Sequence, residues 1–244
     1  MSLFKKAQKL DNYGKIYVNE KDSSKNEDYN RLKDNVLYMN VDGNTKVIQI
    51  ESALMSEGKT TLVSNLAVSL GLTNKKVVVV DIDFRRPKVH RMFGLSKDVG
   101  VAEYVLDDKK LEDVIKTTEY KNVDIVTRGA KVYNSSLLLV SDKFKKLILE
   151  LREKYDFVFL DCAPVLQISD YIHVSKVSDG VLFLVAYGLT TKAQVFEAIK
   201  QLKQNNANIL GTVFTMYDNK SDKASYNKEN YYKYRYIEQS TDEE

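Results

Sequence analysis

Gly58-Lys59-Thr60 and three aspartates, Asp81, Asp83 and Asp161, are the residues of this chain best suited to phosphate chemistry. The triplet closes the stretch Ser52 to Thr61, SALMSEGKTT, which lies where an apolar strand pattern gives way to a helical one, the setting of a phosphate-binding loop. In such a loop the backbone N–H groups of Ser56, Glu57, Gly58, Lys59, Thr60 and Thr61, with the positive helix end, attract phosphate oxygens. Lys59 neutralises the β and γ phosphates, and the Thr60 hydroxyl can enter a Mg²⁺ shell. The loop is degenerate, with Ala53 at the usual first Gly and Met55 and Ser56 where Pro/Gly and Gly are common. A Cβ at Ser56 hinders close approach of backbone to phosphate.

The carboxylates come at the ends of apolar runs. Val77 to Asp81 is a β-branched strand leading to Asp81 and Asp83, and Phe157 to Asp161 delivers Asp161 to the same edge. Open α/β sheets bind ligands at strand C-termini, and charges there are costly unless something pairs them. Each run alone leaves a solvated strand end as the lesser alternative. Together with Lys59 and Thr60 they make the set that Mg-nucleotide chemistry needs.

The elements that must position these residues follow from periodicity. A helix is expected from Glu27 to Asn40 and another over Lys59 to Gly71, with strands at Lys46 to Ile50, Val77 to Asp81, Val123 to Val126, Phe157 to Asp161, Gly180 to Val185 and Ile209 to Phe214. Residues 51 to 58 read as the loop between the first strand and the second helix. Further helical patterns run through Phe144, Leu147 and Leu151 and through Val195, Ile199 and Leu202. The alternation predicts an α/β fold, a parallel sheet with right-handed crossovers and helices on both faces. Residues 1–26 read as a basic flexible arm, 27–217 as the folded domain and 218–244 as a disordered, tyrosine-rich tail.

Composition removes other classes. The 244 residues carry 37 Lys and Arg against 34 Asp and Glu, a formal +3 too small to indicate nucleic acid without a clustered patch. One Cys allows no internal disulfide or zinc knuckle and favours a reducing compartment. Val181 to Tyr187 is the longest apolar stretch, well short of the roughly 20 residues of a membrane helix, and no signal-peptide pattern is read at the start. Sixteen tyrosines with no Trp are unusual.

With the run Arg85-Arg86-Pro87-Lys88-Val89-His90, the following Phe93-Gly94-Leu95 and the terminal tyrosines, these motifs resemble the bacterial protein-tyrosine kinases of the CpsD/CapB type, P-loop proteins of the MinD/ParA-like superfamily. The likeness extends from about Glu27 to the tail. It implies an ATP- and Mg²⁺-dependent autokinase that works with a transmembrane polysaccharide co-polymerase-type activator in capsule or exopolysaccharide synthesis. It also implies self-association through docking of a neighbour's tail, a cognate tyrosine phosphatase, and a cytoplasmic location at the inner face of the plasma membrane. By position, Lys59, Asp81, Asp83 and Asp161 become the catalytic set and Thr60, Asp83 and Asp161 the metal-holding set, with the split between Asp81 and Asp83 open. Tyr226, Tyr231, Tyr232, Tyr234 and Tyr236 become phospho-acceptors, although an aromatic tail can equally be a partner-binding segment.

Departures from the pattern are specific. The early Glu-x-x-Arg-x-x-Arg contact appears as Glu27, Asn30 and Lys33; Gly129 and Asn134 survive from a proline-rich stretch; Thr215 stands where Asn is common. Arg85, Arg86, Lys88 and Arg91 face phosphate, an acidic neighbour or solvent, Cys162 reads as a small buried filler, and His90 reads as a satisfied structural histidine. Asn219-Lys220-Ser221-Asp222 matches a guanine-reading pattern, without the companion DxxG of that class. Two other functions fit: a MinD/ParA-like ATPase switch, against which Leu54 stands where those proteins place a Lys, and a non-catalytic nucleotide-binding scaffold.

Overall fold

A computed structural model describes residues 16–18 and 23–217. In chain order the elements are α1 (Ser23–Met39), β1 (Val47–Ser52), α2 (Lys59–Gly71), β2 (Val77–Asp81), α3 (Val89–Met92), α4 (Val101–Leu106), α5 (Leu111–Val114) and β3 (Ile115–Thr117). There follow β4 (Val123–Val126), α6 (Ser135–Leu139), α7 (Asp142–Lys154), β5 (Phe157–Asp161), α8 (Tyr171–Val174), β6 (Gly180–Ala186), α9 (Lys192–Gln204) and β7 (Ile209–Thr215). The strands form one seven-stranded sheet in the order β3-β4-β2-β5-β1-β6-β7. All neighbours pair parallel except β3, which runs antiparallel to β4. That edge strand is a departure from the all-parallel expectation.

Period-two alternation divides the core. Val77 and Val79 of β2, with Phe157 and Phe159 of β5, pack beneath Leu62, Val63, Leu66 and Leu70 of α2. Val78, Val80, Val158 and Leu160 point the other way, onto Phe144, Leu147, Ile148 and Leu151 of α7. A third cluster joins Val181, Phe183 and Val185 of β6 to Ala198 and Leu202 of α9. Each such side chain contributes about 1.5–3 kcal/mol by burial, so a strand covered on both faces is held firmly enough to end in charge.

Two boundaries differ from the periodicity. β1 continues through Glu51 to Ser52, because both residues stay hydrogen-bonded to β6, opposite Phe183 and Leu184. α1 begins at Ser23 rather than Glu27, and Ile16, 9% exposed, packs into the α2-side core ahead of it. The Tyr17 amide donates to Asn65 Oδ1 of α2 at 2.6 Å. The expectation of an uninterrupted arm to residue 26 missed that anchor, since one Ile among lysines carries no period.

The register brings the chemistry together. Asp81 and Asp161 lie directly opposite each other on β2 and β5, and Ile50 of β1 lies opposite Asp161 on its other side. From β1 the chain crosses to β2, past β5, whereas from the adjacent β5 it crosses the other way to β6, past β1, and the crevice opens at the C-terminal ends of these two strands where the direction reverses.

Candidate active site

The loop after β1 is shaped by what grips it. Glu57, fully buried, accepts hydrogen bonds through one carboxylate oxygen from the Leu54 amide and through the other from the Ala186 amide at 3.0 Å. Thr215 Oγ1 donates to the Glu57 carbonyl at 2.7 Å, and the Val165 amide donates to the Ser52 carbonyl at 2.9 Å. The loop is thus tied to the ends of β6 and β7 and to the segment after β5. The Glu57 carboxylate is committed to this scaffold, which leaves only its backbone facing the cavity side of the loop as a donor. Thr215, at the position where Asn is common, is likewise part of the clamp.

Backbone conformation then aims the amides. Gly58 has φ +92° and precedes α2, and Ser56 has φ +65°. The left-handed region costs an L-residue about 1–2 kcal/mol, so Ser56 pays in backbone strain where a Gly would not. Lys59 is 7% exposed, and its Nζ donates to Ser52 Oγ at 2.8 Å. A lysine parked on a neutral hydroxyl keeps its charge available to an anion.

Thr60 Oγ1 donates to Asp161 Oδ2 at 2.7 Å, while Asp161 Oδ1 is buried without a partner. Burial raises the Asp161 pKa to about 6, against the opposing pull of the Thr60 bond and the Lys59 charge. Asp81 is completely buried; its Oδ2 accepts the amides of Lys88 and Val89, both at 3.0 Å, and its Oδ1 has no partner. Burial and then the Asp161 charge push Asp81 well above the carboxylate range. Asp83 differs: its Oδ1 accepts the amides of Arg85 at 3.1 Å and Arg86 at 2.9 Å, and the residue lines the open cavity.

That cavity, about 410 Å³, is bounded by the loop from Met55 to Thr61, by Asp83, Arg85, Arg86 and Lys88, and by Met92, Pro164 and Met216. Of the expected site residues, Ser56, Glu57, Gly58, Lys59, Thr60, Thr61 and Asp83 line it, and Asp81 and Asp161 lie buried at the adjoining strand ends. Tyr226, Tyr231, Tyr232, Tyr234 and Tyr236, with the 219–222 pattern, fall outside the described residues. Among the described residues no three His, Cys, Asp or Glu side chains converge as a metal-ligand set. Thr60 with the orphaned oxygen of Asp161 suits a cation that keeps waters and takes phosphate oxygens, which is Mg²⁺ chemistry.

Glu51 was missed. It is fully buried at the end of β1, where its Oε1 accepts from Gln49 Nε2 at 2.5 Å and its Oε2 has no partner, while the nearby Cys162 thiol donates to the Leu160 carbonyl at 3.3 Å. Burial raises its pKa to about 8, against the Gln49 bond and the Lys59 charge. The signal was a carboxylate two residues from Gln49 on a strand buried on both faces, obscured because residues 51 to 58 read as loop. Cys162 is buried as expected, and it also lines the cavity. His90 is not satisfied: its Nδ1 is buried without a partner, and burial followed by Arg91 lowers its pKa to about 4.

Outside the site, Glu27 pairs with Arg31 at 2.6 Å, and Asn30 Oδ1 accepts from Ser69 Oγ at 3.4 Å. Lys33 Nζ pairs with Asp34 at 3.3 Å, so all three positions in the altered early motif have partners within this chain.

A family model described as an AAA domain matches residues 45–211. The tyrosine-protein kinase YwqD of Bacillus subtilis (strain 168) is 32% identical over 198 residues, covering 81% of this chain and 84% of YwqD. The putative tyrosine-protein kinase CapB of Staphylococcus aureus is 26% identical over 208 residues, covering 85% and 91%. Longer relatives are spanned in part: 25% of the Escherichia coli (strain K12) tyrosine-protein kinase etk is covered. The kinase domain of Escherichia coli tyrosine kinase ETK superposes with a TM-score of 0.78 at 27% identity, covering 83% of each chain. The septum site-determining protein MinD of Pyrococcus horikoshii OT3, complexed with Mg-ADP, gives a TM-score of 0.61 at 25% identity, covering 73% of this chain and 76% of that one.

Proposed function

This chain belongs to the bacterial tyrosine-protein kinases, and we propose that it is an autokinase that moves the γ-phosphoryl group of Mg-ATP onto Tyr226, Tyr231, Tyr232, Tyr234 and Tyr236. One observation carries the reading: Lys59, held on a neutral hydroxyl, and the Thr60–Asp161 pair adjoin a cavity whose other wall carries Asp83.

In this mechanism the amides of residues 56–61 bind the phosphates and Lys59 leaves Ser52 to neutralise them. Thr60 and Asp161 hold Mg²⁺, which when bound offsets phosphate charge. The tyrosine oxygen forms a bond to phosphorus as the bond to the departing diphosphate oxygen breaks. A phenol of ordinary pKa about 10 needs its proton taken as that happens. Asp83 takes it, since it lines the cavity; Asp81, buried and holding the amides of Lys88 and Val89, positions the segment that follows it.

Among the described residues no helix is long and apolar enough to cross a membrane. A split arrangement follows in this reading: a transmembrane co-polymerase-type activator recruits the chain to the inner face of the plasma membrane for polysaccharide synthesis. Copies of the chain associate by docking tails into neighbouring sites, and a phosphatase resets them.

The acceptor assignment is tested by changing all five tyrosines to Phe. ATP binding is expected to persist while most incorporated phosphate disappears; equal labelling of the variant would place the acceptors elsewhere.

A further inference from the structure

The mouth of the cavity carries more fixed positive charge than the phosphate loop itself. Arg85 and Arg86 are exposed and Lys88 half-buried, and all three line the cavity from the side of β2. Their backbone is pinned: the Arg85 and Arg86 amides donate to Asp83 and the Lys88 amide donates to Asp81. A merely solvated basic face has no need of two site carboxylates to fix its backbone. Among the described residues no carboxylate lies within ion-pair distance of Arg85, Arg86 or Lys88. Arg86 Nη1 instead reaches Met55 Sδ of the phosphate loop at 3.2 Å, a weak acceptor that an anion would displace.

The chain itself supplies a complementary anion. Glu238, Asp242, Glu243 and Glu244 follow the tyrosines with no basic residue among them. The cluster from Tyr231 to Tyr236, by contrast, contains Lys233 and Arg235 and is cationic until modified. A cationic acceptor gains nothing from a cationic mouth, whereas the acidic segment beside it does.

We propose that Arg85, Arg86 and Lys88 form an acidic-peptide subsite at the cavity mouth, and that its occupant is the segment Glu238–Glu244 of this chain, its own or a second copy's. Tyr236, two residues from Glu238, is then presented first. The phosphate it receives carries nearly two negative charges, and it replaces the carboxylates on the same cations, which advances Tyr234 and afterwards Tyr232 and Tyr231. Modification runs from Tyr236 toward the N-terminus. This order rests on the kinase reading; the docking does not.

The test separates the two. A fluorescent peptide of residues 230–244 is titrated against the full chain carrying the five Tyr→Phe changes together with Glu238→Gln, Asp242→Asn, Glu243→Gln and Glu244→Gln, which keeps the chain's own acidic segment off the subsite, with anisotropy as the readout. A second peptide carries Glu238→Gln, Asp242→Asn, Glu243→Gln and Glu244→Gln. The acidic peptide is expected to bind about tenfold more tightly, as several exposed ion pairs allow, with the difference shrinking as salt rises. Arg85→Gln with Arg86→Gln is expected to equalise the two peptides. Equal binding of both peptides to the unaltered mouth, or no binding, overturns the subsite whether or not the chain is a kinase. In the wild-type chain, site-resolved mass spectrometry during reaction with Mg-ATP is expected to find phosphate on Tyr236 before Tyr231. Docking with the reverse order overturns the presentation step, and docking with no phosphate on any tyrosine counts against the kinase reading instead.

Discussion

The two edges of the sheet treat the same residue type in opposite ways. At the N-terminal edge Asp179 Oδ2 accepts the amides of Lys46 at 2.8 Å and Val47 at 2.7 Å and pairs with the Arg152 guanidinium. Nearby, Asp156 Oδ2 accepts the Lys76 amide at 2.8 Å. At the C-terminal edge Glu51, Asp81 and Asp161 are more deeply buried, yet each keeps an oxygen with no partner, and Lys59 sits on a serine rather than on any of them. An orphaned buried acceptor costs about 1–3 kcal/mol. One edge therefore uses its carboxylates to hold the fold, and the other keeps them under-satisfied where a cation and its waters can complete them.

The largest effect that sharpens this contrast is on activity. Lys59→Met is expected to cut phosphoryl transfer roughly 10²–10³-fold, as loss of one charge-stabilising donor does, while thermal unfolding shifts little. Next, the same chemical change at both edges should have opposite costs. Asp179→Asn weakens three charge-assisted bonds and is expected to lose about 2 kcal/mol by denaturant titration. Asp81→Asn keeps the acceptor for Lys88 and Val89 and neutralises a group that burial already disfavours as an anion, so stability at neutral pH is expected to hold or rise. A large loss at Asp81 would erase the distinction.

Stability against pH gives a third readout. Glu51 has a folded pKa of about 8, above the ordinary carboxylate value, so between those limits the native state binds more protons than the unfolded chain. Stability contributed by this group is full below the unfolded value and falls as pH rises through about 8. Glu51→Gln is expected to flatten that decline in melting temperature, with no comparable change from Asp179→Asn. The smallest effect belongs to Ser56→Gly. Releasing the left-handed Ser56 is offset in part by the greater freedom of Gly in the unfolded chain, leaving a gain of at most about 1 kcal/mol. Calorimetry would read it, with tighter nucleotide binding beside it.

What could be read from the sequence follows the same division. α2, β2, β4 and β5 fall at the expected limits because strands covered on both faces and a helix with one apolar face leave uninterrupted patterns. Lys59, Thr60, Asp83 and the strand-end aspartates were legible because their types are rare at such ends. β3 was not, since Ile115-Lys116-Thr117 is three residues long and only its pairing with β4 makes it a strand. Glu51 was hidden because residues 51 to 58 carry no strand period, and the hold on the Glu57 carboxylate was hidden because it comes from the Ala186 amide at the end of β6, distant in sequence. His90 follows the same rule, since its empty Nδ1 results from packing and not from its neighbours in the chain.

The most direct test of the central claim is intact-mass spectrometry of the full chain after incubation with Mg-ATP and the cytoplasmic segment of a membrane activator, with Lys59→Met as the blank. A ladder of added phosphates is expected, mapped by fragmentation to the tyrosines between 226 and 236 and missing from the blank. Hydrolysis of ATP to ADP with no mass added to the chain would contradict it and identify the under-satisfied edge as the site of an ATPase switch.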